Sequence, residues 1–110
     1  SSIERSLASK MLVFADSPLR SKYIMNVVKQ EDVELEIRKQ AIESLESIAD
    51  KESAKHIVAI CEDDNLSDEL RKMAINSAYN LKEKSENEVR AIVDQVVLKH
   101  ERPFIPIVID

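Results

Sequence analysis

Few side chains in this chain of 110 residues could act as a nucleophile or a general base. The only cysteine is Cys61, and His56 lies five residues before it on the same predicted helix. Five helical residues place the two side chains about 140° apart, so they cannot work as a pair. Cys61 falls on the apolar stripe of that helix, which predicts a buried and unreactive thiol, and His56 is predicted at the surface. We therefore predict no catalytic residue, no enzymatic activity and no cofactor.

Carboxylates cluster in one segment, where a metal ion is the ligand to consider. Glu62, Asp63 and Asp64 are followed closely by Asp68 and Glu69. The segment lacks the alternating oxygen ligands and the glycine of a calcium loop, and the histidines and cysteine have no zinc-site spacing. A solvated turn is the interpretation that we favour, so we predict no metal site.

Composition narrows the classes of partner. The chain has no glycine, which excludes the glycine-rich loops that approach phosphate groups closely. Its net charge of −5 makes nucleic acid an unexpected partner. Charge is uneven: residues 31–69 have 13 acidic and four basic side chains. No apolar run approaches the roughly 20 residues of a membrane span, and the lone cysteine suits a reducing, cytoplasmic location.

Apolar residues recur with helical spacing along nearly the whole chain. The pattern predicts six helices, the first over about 3–15 and the second starting at Ser17-Pro18 as N-cap and first helical residue. Three more are predicted over about 33–49, 53–62 and 67–82. The last starts at Ser85, which with Glu88 matches a capping box.

The predicted helices form three pairs that repeat in sequence. At a shift of 33, Glu36, Arg38, Lys39, Ala41, Ile42 and Ser44 recur as Glu69, Arg71, Lys72, Ala74, Ile75 and Ser77. At a shift of 34, Ala15-Asp16 recurs as Ala49-Asp50, and apolar positions of the first pair match those of the second. A period in the thirties made of helix pairs indicates an α-solenoid. A plain six-helix bundle is the alternative that this repeat disfavours.

The segments 37–50 and 70–83 resemble HEAT-like repeats, in the short form also found in phycobilisome-lyase-type proteins. The resemblance covers residues 3–99 and implies an all-α fold, a short right-handed α-solenoid of three stacked antiparallel helix pairs. The repeats are expected at about 1–31, 32–64 and 65–101 within a domain of residues 1–102. Where those proteins often have Gly-Asp at the turn inside a repeat, this chain has Ala49-Asp50 and Lys82-Glu83.

Two functions follow as hypotheses. One is a protein-interaction scaffold that binds a partner protein on the face lined by the second helix of each repeat. That face is predicted to present Met25, Ile60 and Leu98 as apolar spots among Lys22, Asn26, His56, Ala59, Asp94 and Gln95. The other, implied by the resemblance, is an accessory module of an enzyme or of a ligand-handling system.

The helical pattern stops at the C-terminal tail, residues 103–110. Pro103 and Pro106 exclude a regular helix, so the tail is predicted to be extended. Five apolar side chains fall within six positions and call for a covering surface: Phe104, Ile105, Ile107, Val108 and Ile109. We expect the tail to dock on its own solenoid or on that of a second copy in a homodimer. The alternative is that the tail leads into a further domain.

Overall fold

The computed structural model describes residues 19–104, and within that range all regular structure is helical. The five helices are α1 (Leu19–Lys29), α2 (Leu35–Ile48), α3 (Lys51–Cys61), α4 (Asp68–Lys84) and α5 (Asn87–Val97). The all-α prediction is confirmed for this part of the chain. The predicted helix over 3–15 and the Ser17-Pro18 start lie outside the described residues.

Side-chain capping explains where α3 and α4 begin. The Asp50 carboxylate accepts a hydrogen bond from the Ser53 amide at 2.8 Å, and the Asp50 amide donates to Ser53 Oγ at 3.0 Å. This reciprocal pair is a capping box, so α3 begins two residues earlier than the sequence pattern predicted. Ser67 caps α4 as expected, since its hydroxyl accepts from the Leu70 amide at 3.3 Å.

The start of the last helix differs from the prediction. Ser85 does not cap α5; it ends α4, where its amide donates to the Leu81 carbonyl at 2.8 Å. Glu86 is the N-cap of α5 and makes no side-chain capping bond. Sequence spacing alone could not separate these roles, because a serine between two helices can end one or begin the next.

Helices that pack together are neighbours or next-but-one neighbours along the described chain. Each helix contacts the next, and contacts also join α1 to α3, α2 to α4 and α3 to α5. Ala41 of α2 and Ala74 of α4 are both fully buried, so neither site has room for a larger side chain. The fully buried core also includes Ile42, Leu45, Ile57 and Leu70.

Beyond α5 the chain turns at 98–100, and residues 101–104 have no regular structure. This agrees with the prediction that no helix continues through Pro103. Among the helices of residues 19–104, none is long and apolar enough to cross a membrane.

Candidate functional site

The predicted second-helix face lies on α1, α3 and α5, and the structure shows that only part of this face is exposed. Lys22, Asn26, Ala59 and Gln95 are exposed, whereas His56 and Asp94 are half-buried. Leu98 is 80% exposed, just after α5.

The expectation that Met25 and Ile60 are exposed apolar spots is wrong. Met25 is 5% exposed and Ile60 is fully buried, and both belong to the core. The reason is that α1 and α3 each contact more than one other helix, so their buried arc is wider than one stripe. Leu98 remains as the exposed large apolar residue of the predicted set.

Burial accounts for the chemistry of Cys61 and His56. Cys61 is buried, and loss of solvation raises the pKa of its thiol to about 12. Partial burial is also the main reason why the pKa of His56 is lowered. A thiol with so high a pKa carries almost no thiolate at neutral pH, which leaves it inert as a nucleophile.

The carboxylates of the acidic segment are engaged with neighbouring groups. Asp63 accepts a hydrogen bond from the Asn65 amide at 2.9 Å, which closes a local turn. Asp64 and Asp68 both pair with Arg71, and Glu62 pairs with Lys99 at 3.5 Å. Within the part of the chain that the structure describes, no group of three metal-ligating side chains is close enough to hold an ion.

An open groove with a volume of about 390 Å³ lies between α2 and α4. One face of each helix supplies its walls, at spacings of three and four residues. The lining residues are Glu43, Glu46 and Ser47 from α2 and Met73, Asn76, Ser77 and Asn80 from α4. Except for Met73, each of these side chains has polar groups, so the groove offers hydrogen-bonding groups and two carboxylates.

Glu46 links the two walls of this groove. Its Oε1 accepts a hydrogen bond from Asn80 Nδ2 at 3.2 Å, and its Oε2 lies 3.4 Å from Lys84 Nζ. Farther along the same helices, Lys39 Nζ of α2 lies 3.0 Å from Glu69 of α4. That hydrogen bond is the largest cause of the raised pKa of Lys39. These contacts hold α2 and α4 side by side.

Arg102, from the segment after α5, binds across α4 at the edge of the groove. Its Nε donates to Asn76 Oδ1 at 3.2 Å, its Nη1 donates to Glu83 Oε1 at 2.6 Å, and its Nη2 donates to Asn80 Oδ1. The guanidinium carbon also lies 5.7 Å from the centre of the Tyr79 ring, within cation–π distance.

Tyr79 contacts the C-terminal end of α5 and the turn that follows it. Its hydroxyl lies within hydrogen-bond distance of the Val97 carbonyl, at 3.3 Å, and of the His100 carbonyl. The four Arg102 partners therefore lie on one face of α4, at positions 76, 79, 80 and 83. We refer to these four residues as the α4 arginine cluster.

A smaller cavity of about 190 Å³ lies on another part of α4. Its lining consists of Cys61, Asp68, Arg71, Lys72, Ile75 and His100. Arg71 Nε is buried there and has no hydrogen-bond partner among the described residues, although its two Nη atoms pair with carboxylates.

Sequence analysis missed the groove and the α4 arginine cluster. Asn76, Asn80 and Glu83 follow helical spacing, and that spacing is visible in the sequence, but it indicates only that the three residues share a face of one helix. Nothing in the sequence indicated that Arg102 returns to that face, because its partners lie 19 to 26 residues away. No protein-family model, curated protein or solved structure matches this chain.

Proposed function

We propose that this chain is a non-catalytic protein-interaction scaffold, and that the groove between α2 and α4 binds an extended segment of a partner protein. The observation that carries the proposal is the lining of that groove. Carboxylates, amides and hydroxyls on two adjacent helix faces offer the hydrogen-bond donors and acceptors that an extended backbone requires.

The proposal includes a short α-solenoid of HEAT-like helix pairs as the framework. The next-but-one contacts α1–α3, α2–α4 and α3–α5 are those expected when successive pairs stack. The bond between Asn80 and Glu46 joins positions 34 residues apart, which is close to the repeat period found in the sequence. Lys51 at the start of α3 also lies 3.6 Å from Glu88 at the start of α5.

Charge indicates the chemistry of the partner segment. Glu43 and Glu46 line the groove and Glu83 lies close to it, whereas Lys84 and Arg102 are the nearby cations that pair with Glu46 and Glu83. Because Glu43 adds a carboxylate to these two pairs, the groove favours a basic segment over an acidic one. A reducing, cytoplasmic location is part of the proposal, since Cys61 is unpaired and buried.

The test is partner capture from native lysate by the parent chain and by two arginine variants. Glu43→Arg reverses a charge in the groove, and Gln95→Arg places an arginine on the exposed side of α5 as a control. Both residues are exposed on helices, so both variants are expected to keep the fold. We expect Glu43→Arg to lose a partner that the parent chain and Gln95→Arg retain. Equal capture by Glu43→Arg and the parent chain would contradict the groove proposal.

A ligand-handling accessory module remains a second candidate, and the smaller cavity is the observation in its favour. Arg71 and Lys72 line that cavity, and Arg71 Nε has no hydrogen-bond partner there, so a small anion is the ligand that fits its chemistry. Native mass spectrometry of protein purified from its own cells tests this candidate. A retained small anion that is lost in Arg71→Gln would support it.

A further inference from the structure

The α4 arginine cluster has the features of a binding site for one arginine side chain. A guanidinium is planar and offers five N–H donors, which carboxylates and amide oxygens satisfy best when they lie around its edge. Asn76, Asn80 and Glu83 supply three such oxygens, and the Tyr79 ring faces the cation. All four side chains come from one helix, so the site is formed by a single rigid element.

The spacing of these acceptors distinguishes arginine from lysine. Asn76 and Asn80 are four residues apart on α4, a rise of about 6 Å. Nε and Nη2 of one guanidinium bond both asparagines at once, while Nη1 bonds Glu83. An ammonium group is a compact point charge and cannot reach all three oxygens from one position.

Arg102 occupies this site from a segment in which Glu101, Arg102 and Phe104 are exposed. Its side chain is 43% exposed, and Phe104, two residues later, is 87% exposed. The segment of residues 101–104 has no regular structure. Release of Arg102 would therefore expose little apolar surface, so another arginine can compete for the site.

The site is continuous with the groove, because Asn76 and Asn80 belong to both. A segment lying between α2 and α4 would place a side chain directly against these two residues. Charge is complementary as well, since Glu43 and Glu46 line the groove and Glu83 pairs with Arg102 at its edge.

We propose that the α4 arginine cluster is the arginine subsite of the partner-binding groove, and that Arg102 occupies it as an intramolecular competitor. The occupant is an extended segment of a partner protein that carries an arginine. This inference rests on the proposed function for the identity of the groove, and it adds the residue that is recognised and the way in which access is controlled. With an intramolecular competitor, the apparent affinity is the intrinsic affinity multiplied by the fraction of time that the site is free.

The experiment measures binding of a fluorescein-labelled peptide with the sequence of residues 99–104, Lys-His-Glu-Arg-Pro-Phe, to the full chain. Fluorescence anisotropy is recorded with the parent chain, Arg102→Ala and the matched control Arg90→Ala, which removes an exposed arginine from α5. We expect Arg102→Ala to bind the peptide about tenfold more tightly than the parent chain. Arg90→Ala is expected to match the parent chain.

Two further measurements identify the subsite. A peptide with lysine in place of arginine is expected to bind Arg102→Ala at least about tenfold more weakly, because it lacks the planar fork. Asn76→Ala added to Arg102→Ala is expected to weaken binding of the arginine peptide to a similar extent. If Arg102→Ala loses helical content by circular dichroism, Arg102→Lys replaces it with the same expected direction.

Equal affinity of the parent chain and Arg102→Ala, or equal binding of the lysine and arginine peptides, would overturn the proposal. A parent dimer that becomes monomeric in Arg102→Ala would also overturn it, because Arg102 of a second copy would then be the occupant. Failure of the arginine-subsite proposal is distinct from failure of the groove proposal. If the peptide does not bind but Glu43→Arg still loses the partner, the groove stands and the arginine subsite is wrong.

Discussion

Cys61 is the last residue of α3 and belongs to the hydrophobic core, where burial raises its pKa to about 12. An ordinary thiol has a pKa near 8.5, so at pH 8 the thiolate fraction of Cys61 is lower by about three orders of magnitude. We expect Ellman's reagent to modify the native protein at least about 100-fold more slowly than the protein in denaturing urea. The urea-unfolded chain is the control, and a native rate within tenfold of it would contradict the burial of Cys61.

His56 gives the molecule a dependence of stability on pH. Burial is the main cause of its lowered pKa, Lys29 acts in the same direction, and Glu52 and Asp50 oppose them. The folded chain therefore binds a proton less readily than the unfolded chain, whose histidine has a pKa near 6.5. The stability that neutral His56 contributes is fully present above pH 6.5 and is lost as the pH falls through the lower folded-state pKa.

We accordingly expect the free energy of unfolding to fall between pH 7.5 and pH 5.5, and His56→Gln to reduce that decrease. Urea denaturation at both pH values measures the difference. The carboxylates are the same in both proteins, so the comparison isolates the contribution of His56. An identical decrease in the free energy of unfolding for the parent chain and His56→Gln would show that burial of His56 does not govern this pH dependence.

At the scale of the elements, the end of α2 shows how the chain turns without glycine. Ala49 has φ 55° and ψ 26°, a left-handed conformation, and its amide donates to the Leu45 carbonyl. In a residue with a Cβ, this conformation costs about 1–2 kcal/mol, which glycine avoids. Glycine has greater entropy in the unfolded chain, and this reduces the gain in stability by about 0.4–1 kcal/mol. We expect Ala49→Gly to stabilise the protein by about 0.5–1 kcal/mol.

The matched control is Ala59→Gly, on the exposed side of α3. Glycine in a helix interior costs about 0.5–1 kcal/mol relative to alanine, so the two Ala→Gly changes should have opposite signs. Urea denaturation of the parent chain and both variants gives the comparison. Destabilisation by Ala49→Gly would mean that α2 does not end in the left-handed conformation.

Helical periodicity was enough to predict α2, α3 and α4 to within about two residues, because each has a regular apolar stripe and polar flanks. Periodicity could not predict that Met25 and Ile60 are buried, since it shows one stripe and not how many helices surround it. The role of Ser85 depended on which of two adjacent helices it joins. The contacts of Arg102 join residues that are distant in sequence, and only the folded chain brings them together.

At the scale of the whole molecule, α2 packs against α4, and their residues Ala41 and Ala74 occupy equivalent positions at a shift of 33 residues. Both side chains are fully buried. Leucine at position 74 would add three carbons to a packed site and should destabilise the protein by about 1–3 kcal/mol. Ala91→Leu on the exposed side of α5 is the control, with an expected change within about 0.5 kcal/mol. Equal free energies of unfolding for the two variants would contradict close packing around Ala74.

The tail belongs to the scale of the whole molecule, because docking of the tail on a second copy would make the chain a dimer. Of its five apolar residues, Phe104 is described and is 87% exposed, while Ile105, Ile107, Val108 and Ile109 lie outside the described residues. Burying a phenylalanine is worth about 1.5–3 kcal/mol, so a second copy that covers Phe104 would be stabilised by the contact. We therefore expect the parent chain to form a homodimer, and a chain that ends at Arg102 to be a monomer.

Light scattering after size exclusion measures this directly, since one chain has a mass of 12.5 kDa. Phe104→Ser in the 110-residue chain is the milder variant and should shift the equilibrium toward the monomer in proportion to the apolar area removed. Truncation after Arg102 leaves Arg102 in the chain. Any change in oligomeric state therefore comes from the loss of residues 103–110. A monomeric parent chain that aggregates on truncation would indicate docking on its own helices. Unchanged mass, stability and solubility would mean that the tail does not dock at all.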